Sequence, residues 1–265
     1  MNAPVQITSA ANPVLKEIRK AVQRGGLTAD GLAVCETLRL LGDVLPGPAR
    51  VEAVLVSEER RVEMERLLTG RDEVRVLVAP EPLVAAVASV EASQGVLALV
   101  RPREWSLADV VTESSLILVL DGVQDPGNAG AMLRLAEAFG ASGVVAMKGT
   151  VNLFNPKAIR ASAGSVFRVP LVSGLEAAAL LTALQGVPCY AALPDAGAVA
   201  VDRVDWARPA AFVIGNEGHG VSEALRLHAE PITIPTAGVE SLNASTAAAV
   251  ILYEAARQRR AKAIR

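Results

Sequence analysis

Histidine and cysteine are almost missing from this chain of 265 residues, which has two of each. Cys35 and Cys189 share no paired spacing, and His219 and His228 are the only histidines, so neither a disulfide framework nor a Cys/His metal cluster can be built. No metal site is expected. Long apolar runs are lacking too: none reaches the roughly 20 residues that a membrane span needs. The first 16 residues lack the charged-then-apolar build of a secretory leader, and a cytoplasmic protein away from membranes is expected. The fingerprints GxGxxG and GxxxxGK[ST] are absent, which removes the sequence support for dinucleotide and P-loop nucleotide binding. Aromatic residues make up only 3% of the chain, and Ala, Val and Leu supply most of its 51% hydrophobic content. That composition suits buried parallel strands and helices with small side chains.

A net charge of −2 does not suggest a general nucleic-acid binder, whose affinity comes largely from Lys and Arg on phosphate. The distribution partly reverses this. Basic residues gather at Lys16, Arg19, Lys20 and Arg24, at Lys148, Lys157, Arg160 and Arg168, and at Arg257, Arg259, Arg260, Lys262 and Arg265, whereas acidic residues concentrate between Glu52 and Glu73. Each basic cluster reads equally as a solvated helix face.

The length predicts two domains. After Asn12-Pro13, apolar residues at helical spacing predict a helix over 13–24, with its basic residues on the other face. Strands are predicted at 51–57, 74–79 and 94–100, with helices at 58–68 and 81–89 between them, giving a small αβ domain over 1–100. The polar, Pro-containing stretch 101–115 reads as a linker. From 116 the pattern alternates regularly. Strands are predicted at 116–121, 143–147, 168–171, 187–192, 210–214 and 231–234, with helices at 129–139, 156–164, 175–185, 221–226 and 244–262. Such alternation implies an α/β fold with a parallel sheet covered by helices on both faces.

Three of the strands run into polar, Gly-rich turns, the place where α/β folds put their chemistry. In the first, Asp125-Pro-Gly-Asn-Ala-Gly leads into a helix whose free amides can hold an anion or a polar ligand edge. Asn128 there is suited to capping the helix, and Arg134 to pairing with Glu137 at i,i+3. In the second, Gly215-Asn-Glu-Gly presents Glu217 at a strand end, where a carboxylate needs a partner. A structural pairing with an arginine is one reading, and as nothing local supplies one, that arginine would come from another segment or subunit; His219 lies beyond the glycine and reads as exposed. The third turn, from Thr236, sets Ser241 and Asn243 two apart before a helix that Asn243 or Ser245 can cap.

Taken together, DGVQDPGNAGAMLR, FVIGNEGHG and ITIPTAGVESLNASTAAAVILYEAARQR resemble the three ordered motifs of the SpoU/TrmH family of S-adenosylmethionine-dependent RNA ribose 2′-O-methyltransferases, in the SPOUT superfamily. NPKAIRASAGSVFRVP, which begins at Asn155, is similar to the family's intervening segment. The resemblance covers nearly all of residues 116–262. Residues 6–100 are more faintly similar to the family's ribosomal-protein-like, RNA-binding N-terminal domain, through Ile7-TSAANPVLKEIRK, Glu36 and Gln94-GVLALV.

The resemblance implies a C-terminal trefoil knot, a homodimer and a bent S-adenosylmethionine held by Leu193, Gly215, Asn216, Ile234 and Leu242. Asn128, Arg134, Glu217, Ser241 and Asn243 fall on its functional positions. Arg134 is expected to stabilise the developing alkoxide, because an arginine is a poor base; Glu217 is expected to fix an arginine or the cofactor site. Lys16, Lys20, Lys157, Arg160 and Arg259 are the expected RNA contacts. Two departures stand out: Thr236 replaces the family's methionine, and Thr37 stands where a glycine follows Glu36. Ribosomal RNA is the preferred substrate because a domain precedes the knot. A transfer-RNA methyltransferase, a catalytically silent RNA-binding assembly factor and a small-molecule α/β enzyme stand as alternatives.

Overall fold

A computed structural model describes residues 3–89, 94–195 and 197–263. Arg265 of the basic tail therefore lies outside the described residues. In chain order the first elements are β1 (Val5–Gln6), α1 (Pro13–Arg24), β2 (Ala33–Glu36), α2 (Leu38–Val44), β3 (Arg50–Ser57), α3 (Arg61–Leu67), β4 (Arg75–Ala79), α4 (Glu81–Ala85) and β5 (Val96–Arg101). Then follow α5 (Leu107–Val110), β6 (Leu116–Asp121), α6 (Pro126–Ala138), β7 (Gly143–Met147), α7 (Pro156–Ala161), β8 (Leu171–Leu175), α8 (Ala177–Ala183) and β9 (Cys189–Ala192). The chain ends with β10 (Val199–Ala200), β11 (Ala210–Gly215), α9 (Glu223–Arg226), β12 (Glu230–Thr233) and α10 (Ala244–Ala263).

Contacts divide the chain into two compact units, the first made of Met1–Arg103 with Asn152–Arg168 and the second of Glu104–Val151 with Val169–Arg265. The expected boundary near residue 100 is close, but the segment 152–168 packs with the N-terminal unit, not with the sheet that precedes it in sequence. The expected linker 101–115 is partly regular structure: it holds the end of β5, helix α5 and a buried Ser115.

In the first unit the sheet order is β1-β4-β3-β5-β2, with β5 antiparallel to both neighbours. Its core joins Leu15, Ile18 and Ala21 of α1 to Leu55, Leu77 and Leu97 of the strands. Asn12 caps α1 by accepting from the Val14 amide, with Pro13 in the first turn, and Gly25 closes the helix at φ 64°. Those are the start and stop signals that the sequence displays.

The second unit is built on a parallel seven-stranded sheet ordered β10-β12-β9-β11-β6-β7-β8. Strand β6 is buried along its whole length and β11 along all but its last residue, which is why both read as continuous apolar runs. Trp206 is fully buried, donates its indole N–H to the Val201 carbonyl at 2.9 Å and packs its ring on Tyr190 and Phe212. All strands being parallel, the loops after β6, β9, β11 and β12 leave one common edge of the sheet. No helix among the described residues is long and apolar enough to cross a membrane.

Candidate functional site

The first turn is shaped by Asp125, not by Asn128. Asp125 Oδ1 accepts from the Asn128 amide at 2.8 Å and Pro126 fills the first helical position, so α6 starts three residues before the expected 129. This frees the Asn128 side chain from capping. Its Nδ2 donates to Glu217 Oε1 at 3.1 Å, and its Oδ1 accepts from Asn243 Nδ2 at 3.2 Å. Asn243 Oδ1 in turn accepts from the amides of Ser245 (2.9 Å) and Thr246 (3.3 Å), which makes Asn243 the cap of α10. One residue from each turn therefore lies in a single hydrogen-bonded chain.

Among the described residues Glu217 closes that chain on amides, without an arginine. Its carboxylate accepts from the amides of Gln124 at 3.1 Å and Asp125 at 3.3 Å, where α6 begins. Burial by itself pushes the Glu217 carboxyl up, but the Asn128 side chain and the Gln124 and Asp125 amides outweigh it, leaving the pKa below the ordinary 4.5. A carboxylate facing amides at a helix start is also favoured by the helix dipole. Gln124 acts through its main chain, a contribution that no side-chain motif advertises.

The second turn is organised by Asn216. Its Oδ1 accepts from the amides of Gly218 (2.8 Å) and His219 (3.0 Å), its Nδ2 donates to the Gly122 carbonyl at 2.7 Å, and its main chain pairs with Gly220 in both directions at 2.9 Å. Gly215 cannot carry a side chain, since a Cβ there would lie 2.2 Å from the Gly220 carbonyl carbon. His219 is exposed, with Nδ1 3.1 Å from Asn216 Oδ1. Asp121, unremarked in the sequence although it ends an apolar strand, is buried and accepts from the Ser222 amide at 2.6 Å. It ties the far end of this loop to β6.

Between these loops lies a cavity of about 670 Å³, within the range of small-molecule sites. Leu193, Ile214, Ile232, Ile234 and Leu242 give it an apolar wall, and Asn216, Glu217, Arg226, Glu240, Ser241 and Asn243 its polar groups. All five expected cofactor residues line it, as do Ser241, Asn243 and Glu217. Asn128 stands one hydrogen bond behind.

The sequence profile of the SpoU rRNA Methylase family matches residues 115–253. A Bacillus subtilis protein named 23S rRNA (guanosine(2553)-2'-O)-methyltransferase RlmP is 32% identical over 251 residues, covering 94% of this chain and 98% of the relative. The chain belongs to the SpoU rRNA methylase family. Among solved structures, an AdoMet-bound rRNA methyltransferase from Sinorhizobium meliloti superposes with a TM-score of 0.83 at 29% identity, covering 95% of this chain and 97% of that one. The SpoU methyltransferase AviRb from Streptomyces viridochromogenes, in complex with AdoMet, gives 0.83 at 27% identity, with 94% and 98% covered.

Not every expected site residue of this SpoU chain joins the cavity. Arg134 is exposed on α6, is not part of the cavity lining, and makes no ion pair among the described residues, so the pairing with Glu137 does not form. Lys16 and Lys157 are exposed; Lys20 is exposed and paired with Glu17 at 2.9 Å. Two expected RNA contacts turn out to be engaged internally. Arg160 reaches the buried Glu36 at 3.4 Å, and Glu36 also accepts from the amide and hydroxyl of Ser89. Arg259 donates to the carbonyls of Trp206, Ser114, Ser115 and Arg208 at 2.7–2.9 Å, and burial pulls its pKa down. Its guanidinium is spent on the fold.

Proposed function

We propose that this protein methylates a ribose 2′-hydroxyl of ribosomal RNA, using S-adenosylmethionine. The observation that carries the reading is the chain Glu217–Asn128–Asn243, which joins three separate loops at the wall of one cavity. The cavity suits a flat, partly apolar nucleoside: aliphatic side chains line it, together with the Gly215–Val221 turn, where Gly215 lets the chain pack closely on itself. When bound, S-adenosylmethionine supplies a methyl group activated on a sulfonium. The protein's own task is to align a hydroxyl with that methyl, and alignment of two bound reactants can supply much of the rate.

In this reading Asn128, Ser241 and Asn243 order the loops and the ribose, and Glu217 holds the first loop against the second. Arg134 stabilises the developing alkoxide. With a pKa above about 12 it is a poor base, but its planar fork suits an oxyanion or a phosphate. Because Arg134 is exposed and outside the cavity of its own chain, we assign it to the cavity of a second copy in a homodimer. The family resemblance supports the dimer, a trefoil knot through the loops of β11 and β12, and a cytoplasmic setting. Lys16, Lys20 and Lys157 are the RNA contacts in the first unit. Arg160 and Arg259 are left out because their guanidinium groups are occupied.

Labelled S-adenosylmethionine and ribosomal RNA from cells lacking the gene give the test. Ribose-methylated product is expected with wild type and a loss of roughly 100-fold or more with Arg134→Ala, with cofactor affinity unchanged; full activity of that variant would overturn the role of Arg134. Mixing Arg134→Ala with Asn243→Ala should restore part of the activity through mixed dimers. No recovery would place Arg134 in its own chain's site.

A further inference from the structure

Three charged side chains line the cavity: Glu217, Arg226 and Glu240. Glu217 is committed to the Gln124 and Asp125 amides and to Asn128. Arg226 and Glu240 are both exposed and form no ion pair, with each other or with any other described residue. Arg226 is the single Lys or Arg of the lining, and the ring of His219 is hydrogen-bonded to Asn216. Nor is the arginine on a loose tether. It ends α9, which is held by the buried Val221 and Leu225 and by the bond from the Ser222 amide to the buried Asp121.

One cation and one carboxylate, both uncommitted, thus share the cavity, a charge pattern that suits a zwitterion. We propose that Arg226 binds the α-carboxylate of the amino-acid end of S-adenosylmethionine, with Glu240 facing its α-ammonium. This rests on the methyltransferase reading above and adds to it the recognition of the methionine part. A guanidinium matches a carboxylate with two parallel bonds. An RNA phosphate is the rival anion. Glu240 decides against it, because a carboxylate sharing the cavity repels a phosphate chain and attracts an ammonium.

Calorimetry on the full-length chain separates the cases with two probes, S-adenosylhomocysteine and 5′-methylthioadenosine, which lacks the amino-acid end. Arg226→Ala should weaken S-adenosylhomocysteine about tenfold, the size of a charge-assisted bond discounted for exposure, and leave 5′-methylthioadenosine within about twofold. Arg226→Lys should recover part of the loss, and Glu240→Gln should cost roughly threefold for S-adenosylhomocysteine alone. An equal loss for both probes would mean a displaced α9 and overturn the assignment. Unchanged affinity for both, with a raised KM for RNA, would overturn it in favour of a phosphate contact. If wild type bound neither probe, the cofactor reading itself would fall.

Discussion

Thr37 holds a φ of 98° between β2 and α2, a region in which a β-branched residue is strained. Its Oγ1 accepts from the Leu40 amide at 3.3 Å, a long cap bond that offsets part of that strain. Thr37→Gly removes the strain and, as a glycine cap costs only a few tenths of a kcal/mol, should raise stability by about 1 kcal/mol. Chemical denaturation would show it; a lower midpoint would mean that the cap outweighs the strain. Glu217 gives a prediction with a pH sign. Its folded pKa lies below 4.5, so its stabilising contribution is complete above the unfolded value and is lost as pH falls through the lowered folded value. Thermal midpoints of wild type and Glu217→Gln should therefore differ most above the ordinary carboxylate range and converge as pH falls below it. A constant gap would remove the charge from the explanation. Asn128, Glu217 and Asn243 were legible as residue types in turns, but their partners were not: Glu217 is satisfied by main-chain amides, and every residue except proline carries an N–H. The cap at Asp125 was legible in Asp-Pro, and was missed because the glycines and Asn128 that follow made the later turn look like the helix start.

Elements of the second unit followed from composition because its central strands are buried on both faces, leaving runs such as Leu116–Asp121 with little ambiguity. Strands β1 and β10 have two residues each, too few to show a period. The expected helix 58–68 breaks into a 3₁₀ turn over Glu58–Arg60 followed by α3, a break that the charged run of residues 58–61 does not signal. Helix α10 holds the clearest prediction at this scale. Arg259 fastens its second half to four main-chain carbonyls from two separate segments, 114–115 and 206–208. Arg259→Ala leaves those carbonyls to water or to nothing, a loss of about 2 kcal/mol for a half-buried charged donor. At roughly 2–4 °C per kcal/mol for a chain of this size, the midpoint should drop by about 4–8 °C, with RNA affinity nearly unchanged. A large loss of RNA affinity at an unaltered midpoint would return Arg259 to the RNA-binding set.

At the scale of the whole molecule, the family match and the compact units disagree in an informative way. The profile runs unbroken from 115 to 253, whereas 152–168 packs with residues 1–103. Segments that are contiguous in sequence read as one domain, and only the packing reveals the exchange. Within the first unit the segment is held by α7 against β2, by Arg160 on Glu36, and by the Asn155 side-chain Nδ2 so close to Gly25 that a Cβ there would meet it at 2.3 Å. A chain trimmed to 104–265 would keep every lining residue of the cavity but lose the partners of α7, whose Ala158 and Ile159 are buried in the intact protein. Trimming at the domain boundary legible in the sequence should therefore yield a protein that self-associates on gel filtration and binds an apolar dye. Removing the N-terminal residues together with 152–168, bridged by a short Gly-Ser linker, should suppress both signs and retain S-adenosylhomocysteine binding. If the simple truncation proved monodisperse and dye-silent, with full ligand affinity, 152–168 would belong functionally to the second unit, and the exchange of packing would carry no energetic weight.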